Sequence, residues 1–403
     1  MLDVKNVLLF EPGSADFPGH ALDQGLMYMK YLISERKGVL FSCGEYSKKF
    51  DEMTKVNKVK MYHVYDKISS VSRNKILKTL LYIFLGIKNY LKLFKIAEKE
   101  NVDVIHNLTF RLIDSVPLLI ACFLTRKSTS FILNVHSVYF RHSYNPKAIV
   151  SNLSTAFLMS VLKYLVKLNV ISKIIVYTNA LNDVLKYFLG NGIVEKVNYP
   201  VLIDTKKFRY SENASRKILK IQSEFPLALL FSRKKTDSVI KNMFFALNET
   251  SIPFNLLFAG KMEGSFVKEM KDLIKKTGWR GNVIIENGYV DSIKKFHYIN
   301  ASDFVILPYD KNYYNETKCI SAFISEVVVA GKPILMTKVG ENSDFVEEKY
   351  AGIIINDTVA DWGSGIDNVL KNLVSLKTHA YVMSKNLNKD FYYRNVLKNV
   401  YRL

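Results

Sequence analysis

The amino-acid sequence predicts an α/β protein built from two Rossmann-like, doubly wound domains, and three observations lead to this prediction. The chain has 403 residues, which is more than a single hydrophobic core usually holds. Hydrophobic residues make up 49% of it and charged residues 23%, which is the composition of a globular protein. Short apolar runs rich in β-branched residues alternate with helical patterns, as expected of parallel strands that are buried on both faces.

The apolar runs fall into two series, one in each half of the chain. The first series comprises Asn6–Phe10, Gly38–Ser42, Val59–Val64, Val104–His106, Ser130–Asn134 and Ile174–Tyr177. The second comprises Ala228–Phe231, Phe254–Ala259, Val283–Glu286, Phe304–Leu307, Pro333–Thr337 and Gly352–Ile355. Because the pattern breaks near Tyr199 and Pro200, we predict one domain over residues 1–199 and a second over residues 200–385.

The formal net charge of +20 indicates an anionic partner, for which nucleic acid, an anionic membrane and a phosphorylated substrate are the candidates. The segment Asn74–Glu100 has a helical pattern, with Leu80 and Phe84 expected on its apolar face. Four of its lysines share the opposite face: Lys88, Lys92, Lys95 and Lys99. Two interpretations are open, namely a basic amphipathic helix on an anionic membrane surface, and an ordinary sheet-packed helix with a solvated lysine face.

Several features predict a cytoplasmic protein. The three cysteines, Cys43, Cys122 and Cys319, are far apart and match neither a metal-ligand spacing nor a disulfide framework, which favours a reducing compartment. The first apolar run is shorter than the core of a signal peptide, and no run reaches the roughly 18–20 apolar residues of a transmembrane helix. We therefore expect a cytoplasmic location, with peripheral binding at the inner face of the plasma membrane.

A strand–loop–helix–strand unit in the second half is the main candidate for a functional site. Ala301–Tyr309 predicts a strand that ends in a Pro-Tyr loop. Cys319–Ala330 has helical periodicity and is followed by Gly331 as a C-cap and by a stop proline, after which the next strand begins. Doubly wound sheets bind ligands at the carboxyl ends of their strands, so the side chains at the start of this helix are candidates for ligand binding.

The unit resembles the C-terminal donor domain of the retaining GT-B glycosyltransferases of group 1 (family 4-like), whose two Rossmann-like domains face a central cleft. Aligned on Gly331, Glu326 falls on the glutamate that binds the ribose hydroxyls of the donor nucleotide in that family. Lys318 stands where the family has a glutamate for the donor sugar, so this chain is a divergent member. The resemblance also implies that Ser321 and the helix N-terminus bind the donor diphosphate.

The resemblance further implies a cationic clamp on that diphosphate. Arg233 follows the first strand of the second domain and is expected to be catalytic, because it neutralises the leaving group. Its lysine partner is Lys234, Lys235 or Lys241, since the spacing leaves these alternatives open. Gly260, after the next strand, is expected to offer a backbone contact to the nucleotide. Transfer by such a clamp requires neither a metal ion nor a cofactor.

In the first domain, the candidate residues follow the strands. Gly13 lies in the loop after the first strand and would let the backbone approach a ligand, although the loop lacks the GxGxxG pattern of dinucleotide-binding proteins. His106 and His136 close successive predicted strands. The resemblance places His136 against the transferred sugar, as a catalytic residue, and implies that the last helix, residues 386–403, packs back on the first domain.

The implied function is transfer of a sugar, with retention, from a UDP- or GDP-linked donor to a saccharide or lipid-linked acceptor, in the synthesis of bacterial surface polysaccharides. Nucleic acid is not an expected partner, because the basic residues are not interleaved with aromatic residues in any known binding module. The alternative is a non-catalytic GT-B-like binding protein or partner subunit with a remodelled donor site, which the lysine at position 318 favours.

Overall fold

The computed structural model describes residues 4–11, 20–35, 37–43, 59–64, 75–125, 129–138, 146–201, 211–222, 224–231, 238–260, 262–288, 290–317, 319 and 321–401. These residues fall into two units. Unit 1 takes those of Met1–Asn198, Glu316–Cys319 and Tyr393–Leu403, and unit 2 takes those of Tyr199–Asn315 and Ile320–Tyr392. The resemblance also implies that residues 1–199 bind the acceptor and residues 200–385 bind the nucleotide-sugar donor, and this assignment stays a prediction.

The secondary-structure elements are numbered along the described part of the chain. The strands β1 to β13 are Asn6–Glu11, Gly38–Cys43, Lys60–His63, Val104–Phe110, Ser130–Val135, Ile171–Val176, Val194–Lys196, Leu227–Phe231, Asn255–Gly260, Val283–Asn287, Phe304–Leu307, Ile334–Thr337 and Gly352–Ile355. The α-helices α1 to α15 are His20–Ser34, Lys75–Lys99, Ser115–Thr125, Pro146–Lys167, Asn179–Leu189, Glu212–Leu219, Ser238–Ala246, Gly264–Thr277, Ser292–Ala301, Lys311–Thr317, Ala322–Ala330, Gly340–Lys349, Val359–Lys371, Leu373–Phe391 and Tyr393–Val400.

Each unit contains a parallel sheet with helices packed on it. Among the described residues, the strands of unit 1 pair in the order β3-β2-β1-β4-β5-β6-β7, and those of unit 2 in the order β10-β9-β8-β11-β12-β13. In both sheets the strand order reverses beside the first strand, which is the switch point where doubly wound sheets bind ligands. The prediction of two doubly wound α/β domains is therefore confirmed.

Two details of the first sheet differ from the prediction. Strand β4 was expected to end at His106 but continues to Phe110, with an irregular register against β5 between Asn107 and Phe110. His106 consequently lies inside the sheet and not at its carboxyl edge. Strand β7, which pairs with β6, was not predicted, because its three residues are too few to form a recognisable apolar run.

The outer helices of unit 1 pack on its sheet through a shared hydrophobic core. Helices α2, α3, α4 and α5 pack their inner sides against the strands in one hydrophobic cluster. In α2 this contact is made mainly by the second half, where Leu93 and Phe94 are buried. Leu80 and Phe84, which were expected on the apolar face of this helix, do not take part in the packing on the sheet, because both side chains are exposed.

The Gly331–Pro333 turn of unit 2 makes contacts that stabilise the fold. Gly331 ends α11 with a φ of 71°, a left-handed conformation that favours glycine. The buried Lys332 ammonium then reaches the amino ends of the strands, where it donates to the Ser302 carbonyl oxygen at 2.6 Å and lies 3.3 Å from a Glu212 carboxylate oxygen. Burial is the main reason that the pKa of Lys332 falls to about 8.

Lys332 belongs to a cluster of charged side chains that joins several elements of unit 2. Asp303 contacts Lys377 of α14 and Arg216 of α6, each at 2.7 Å, and accepts a hydrogen bond from the Leu227 N–H at 2.7 Å. Burial would raise the pKa of Asp303, but Lys377, the Leu227 N–H and Arg216 together hold this pKa below its ordinary value. The amino ends of β8 and β11 are thereby tied to α6 and α14.

None of the helices in the described ranges is both long enough and apolar enough to cross a bilayer.

Candidate functional site

The candidate site lies in unit 2, at the carboxyl ends of its parallel strands. Tyr309 follows β11, and Thr337 ends the neighbouring β12. The Tyr309 N–H donates to Thr337 Oγ1 at 2.9 Å, and the Thr337 hydroxyl donates to the Tyr309 carbonyl oxygen at 2.7 Å. This reciprocal pair fixes the two strand ends and orients the tyrosine side chain that follows them.

The start of α11 is held at the same edge. Ser321 precedes the helix; its hydroxyl lies 2.6 Å from the Tyr309 hydroxyl, and its N–H donates to Asn342 Oδ1 at 2.9 Å. Asn342 comes from the first turn of α12 and is buried. A helix N-terminus attracts anions through its N–H groups and its dipole. Ser321 is thus part of a hydroxyl and amide cluster at an end of α11 that is suited to a phosphate.

Glu326 lies one turn further along α11 and is paired with a lysine. Its Oε1 is 2.5 Å from the Nζ of Lys295, which lies in the first half of α9. Both side chains are mostly buried, at 16% and 12% exposure. Helices α9 and α11 both start after strands of this sheet, so the ion pair lies towards its carboxyl edge. A carboxylate fixed in this way can accept hydrogen bonds from two adjacent hydroxyl groups.

Phe231, the last residue of β8, lies close to the same helix. Its ring is stacked on that of Phe323 in the first turn of α11, with ring centroids 4.9 Å apart. Phe231 is thus beside the N-terminus of α11, and it precedes Arg233 and Lys235 in the sequence. Arg233 and Lys235 themselves, like Gly13 and Lys318, lie outside the described residues.

Gly260 is the last residue of β9 and pairs in register with Asn287 of β10. Its φ of 123° is a backbone conformation that residues with a side chain rarely adopt, which explains why a glycine occupies this position. The Asn287 side chain caps the next turn, because its Oδ1 accepts from the Met262 N–H at 2.9 Å. Gly260 therefore lies at the carboxyl edge of the sheet, and its backbone contact to a nucleotide stays a prediction.

Lys241 has an ion pair of its own. Its Nζ is 3.1 Å from the Glu269 carboxylate of α8, and nearly half of each side chain is exposed. An exposed pair of this kind contributes little to stability, so the lysine is able to exchange partners. Its participation in a diphosphate clamp stays a prediction.

His136 lies in unit 1, directly after β5, as predicted. Its Nε2 is 3.0 Å from the Leu108 carbonyl oxygen, and its ring lies beside that of Tyr177. Burial lowers the pKa of His136, and the Leu108 carbonyl only partly opposes this shift. The imidazole is therefore neutral at pH 7, its Nε2–H donates to the carbonyl, and its Nδ1 is an acceptor.

His106, by contrast, belongs to a buried and uncharged network. Its Nδ1 is 2.7 Å from the Tyr401 hydroxyl and its Nε2 is 2.9 Å from Asn134 Oδ1. Asn134 Nδ2 in turn donates to the Tyr28 hydroxyl at 3.1 Å. Burial lowers the pKa of His106 to about 4. The prediction that His106 lines the ligand edge was wrong, because the ring is used to join β4 and β5 to α1 and to the last turn of the chain.

Sequence reasoning did not single out four residues of the unit 2 site: Lys295, Tyr309, Thr337 and Asn342. A usable signal existed for Tyr309 and Thr337, because each occurs where a predicted strand ends. No pattern pointed to Lys295 or Asn342, since their partners Glu326 and Ser321 lie 31 and 21 residues away in the sequence.

Comparisons with known proteins agree with this arrangement. Residues 213–386 match the family described as glycosyl transferases group 1. No protein of curated function matches the sequence. A glycosyltransferase from Rickettsia africae ESF-5 is 14% identical, with a TM-score of 0.70 over 99% of this chain and 97% of that one.

Two further solved structures are similar over almost their full length. Sucrose-phosphate synthase from Thermosynechococcus elongatus is 13% identical, with a TM-score of 0.71 over 99% of this chain and 98% of that one. Anabaena HepE, in complex with UDP and glucose, is 14% identical, with a TM-score of 0.66 over 98% of both chains. At such low identities these likenesses establish the fold alone.

Proposed function

We propose that the protein is a divergent group 1 glycosyl transferase that transfers a sugar from a nucleotide-sugar to an acceptor, because residues 213–386 match that family and the fold is similar to that of a solved glycosyltransferase. The donor is UDP- or GDP-linked, and the acceptor is a saccharide or a lipid-linked saccharide. Transfer proceeds with retention and without a metal ion, in the synthesis of bacterial surface polysaccharides on the cytoplasmic side of the plasma membrane.

The observation that carries this proposal is the placement of Glu326. Its carboxylate is held by Lys295 near the carboxyl edge of the unit 2 sheet, one turn beyond Ser321 and the N-terminus of α11. A nucleoside diphosphate needs an acceptor for its ribose hydroxyls and an electropositive site for its phosphates, and these two features lie next to each other here. HepE, which has a similar fold, was solved with UDP and glucose, so UDP is the first nucleotide to test.

The remaining site residues complete the proposed chemistry. Arg233, with Lys235 or Lys241, neutralises the charge that develops on the departing diphosphate. Ser321, Lys318 and the Gly260 backbone contact the diphosphate and the donor sugar. Neutral His136 accepts a hydrogen bond from a sugar hydroxyl through Nδ1, and Gly13 lets the loop after β1 approach the ligand.

Calorimetric titration with UDP and GDP tests the proposal. We expect the wild-type protein to bind one of the two nucleotides. Glu326→Gln should weaken binding about tenfold or more, because a hydrogen bond to a charged group is worth roughly 1.5–3 kcal/mol. Glu348→Gln, an exposed glutamate of α12, is the matched control and should bind as the wild type does.

The outcomes separate the proposal from its alternative. If neither UDP nor GDP binds, the protein is a non-catalytic GT-B-like partner subunit, as Lys318 in place of a glutamate suggests. If a nucleotide binds but Glu326→Gln leaves its affinity unchanged, the assignment of Glu326 to the ribose is wrong. Arg233→Ala should lower the turnover of nucleotide-sugars more than it lowers the affinity for the nucleotide, because a contact to the leaving group strengthens in the transition state.

A further inference from the structure

Unit 1 exposes many large apolar side chains on three neighbouring helices. Phe84 is 65% exposed, Leu124 is 66% exposed and Phe157 is 62% exposed. The surface that we call the α2–α4 face contains these three residues and five others: Leu77, Leu80, Phe123, Leu153 and Tyr164. Isolated exposed apolar residues are ordinary on a protein surface, whereas a continuous group of them indicates an interaction surface.

The α2–α4 face is continuous because its helices pack side by side. Helices α2 and α3 approach so closely that a Cβ atom on Gly86 would lie 2.9 Å from the Pro117 side chain. Helices α3 and α4 meet on their outer sides, where the rings of Phe123 and Tyr164 have centroids 6.3 Å apart. Helix α3, which lies between the other two, contains no charged residue at all.

The helices on either side of α3 supply positive charge and almost no negative charge. Helix α2 holds six lysines, with Glu98 as its one acidic residue, and α4 holds three lysines and no acidic residue. Exposed lysines on these two helices include Lys78, Lys88, Lys95, Lys99, Lys163 and Lys167. Apolar side chains flanked by lysines are the combination that binds the interface of an anionic lipid bilayer.

We propose that the α2–α4 face docks on an anionic lipid bilayer, with Phe84, Phe123 and Phe157 inserted at the level of the acyl chains and the lysines at the headgroups. The proposal rests on the proposed function in one respect, since a lipid-linked acceptor would be met at that surface. Leu80 and Phe84 are central to it: their exposure leaves the first half of α2 available to lipid and not to the core.

A second copy of the chain is the main competing occupant. Charge argues against it, because pairing two identical faces would bring the lysines of α2 and α4 near their own counterparts with only Glu98 on these helices to offset them. A bilayer rich in phosphatidylglycerol has the complementary charge. The same charges would also make binding fall with increasing salt.

Sedimentation with vesicles tests the proposal on the full-length protein. Vesicles of pure phosphatidylcholine are compared with vesicles that contain phosphatidylglycerol, at low and at high salt. We expect binding to the anionic vesicles only. The double variant Phe84→Ser/Phe157→Ser should weaken it by about tenfold per phenylalanine, and Lys88→Gln/Lys95→Gln by roughly fivefold per lysine.

Matched controls come from unit 2. Phe245→Ser removes a partly exposed phenylalanine of α7, and Lys271→Gln/Lys275→Gln removes two exposed lysines of α8. Both controls should bind vesicles as the wild type does. Thermal unfolding of every variant verifies that it is folded, and light scattering reports its oligomeric state.

Three results would overturn the proposal. These are absence of binding to anionic vesicles by the wild type, equal losses in the face variants and the controls, and a dimer that Phe84→Ser/Phe157→Ser converts to a monomer without any vesicle binding. Nucleotide binding is measured in parallel. Loss of vesicle binding with intact UDP affinity contradicts only the docking face, whereas vesicle binding without affinity for UDP or GDP contradicts only the proposed function.

Discussion

Units 1 and 2 each bury a cluster of polar side chains, and the two clusters differ in charge. In unit 1, neutral His106 joins Tyr401 to Asn134 in the interior of the sheet. In unit 2, Asp303 joins Arg216 and Lys377 at the amino ends of the strands. The first cluster depends on the absence of a proton on its histidine, and the second depends on the presence of opposite charges.

The difference indicates which part of each sheet is expected to hold ligand-binding residues. His106 was predicted at the end of a strand and Lys332 follows the C-cap glycine of α11, yet the structure uses both to connect secondary-structure elements. Glu326 and Ser321, in contrast, lie towards the carboxyl edge of the sheet. Motif membership alone does not distinguish a structural residue from a ligand-binding one, whereas position along the parallel strands does.

The largest expected effect concerns the charged cluster. Asp303→Ala leaves the cationic groups of Arg216 and Lys377 without their buried carboxylate, so we expect the free energy of unfolding of unit 2 to fall by about 3 kcal/mol. Both tryptophans, Trp279 and Trp362, lie in unit 2, so urea unfolding followed by tryptophan fluorescence reports this unit. Asp303→Asn keeps an acceptor for the Leu227 N–H and should cost less. Equal stability of the wild type and Asp303→Ala would contradict a structural role for the charges.

The second expected effect is a loss of stability of unit 1 in acid. The pKa of His106 is about 4 in the folded protein and 6.5 ordinarily. Between these values the unfolded chain binds a proton that the folded chain does not, so stability falls as the pH is lowered from 6.5 towards 4. The expected loss between pH 7 and pH 5 is about 2 kcal/mol. The lowered pKa of His136 acts in the same direction.

Urea unfolding followed by circular dichroism at pH 7 and pH 5 measures this effect. Unit 2 is followed by tryptophan fluorescence in the same samples for comparison, because burial also lowers the pKa of its His297. His106→Gln should remove most of the difference between the two pH values. A pH dependence that survives this substitution would assign the acid sensitivity to another group, such as His136.

The smallest expected effect comes from Tyr401→Phe. The substitution keeps the ring but removes the hydroxyl that donates to His106 Nδ1, and a buried acceptor is left unsatisfied at a cost of about 1 kcal/mol. Amide hydrogen exchange should then be faster in α1 and β4, because the Tyr401 ring also contacts Tyr28 of α1 and His106 of β4. Unchanged exchange would mean that the aromatic contacts hold the last turn without the hydrogen bond.

The predicted strands show how much of the fold local patterns reveal. Phe304–Leu307 and Gly352–Ile355 were predicted with their exact bounds, and most of the others within one or two residues. Buried parallel strands are continuous apolar runs, so they can be recognised without knowledge of their neighbours. The extension of β4 beyond His106 could not be recognised in this way, because Asn107 is polar and becomes buried only through contacts with distant residues such as Tyr90.

The candidate site was predictable in part. Glu326 and Ser321 were selected by their positions relative to the glycine turn that ends α11, and Gly260 by the strand that it follows. The ion pair with Lys295 and the hydrogen bonds of Ser321 to Tyr309 and Asn342 were not identified. These contacts join elements that are distant in the sequence, and no local pattern encodes them.

The sequence by itself determined the two doubly wound domains, the order of their elements and the helix that carries Glu326, because these follow from apolar periodicity and turn residues within short segments. Only the tertiary structure decided which polar residues are enclosed and which apolar residues remain at the surface. It enclosed His106 and Lys332, and it left Phe84 and its neighbours on the α2–α4 face exposed. The physical reason is that burial depends on what the rest of the chain places beside a residue.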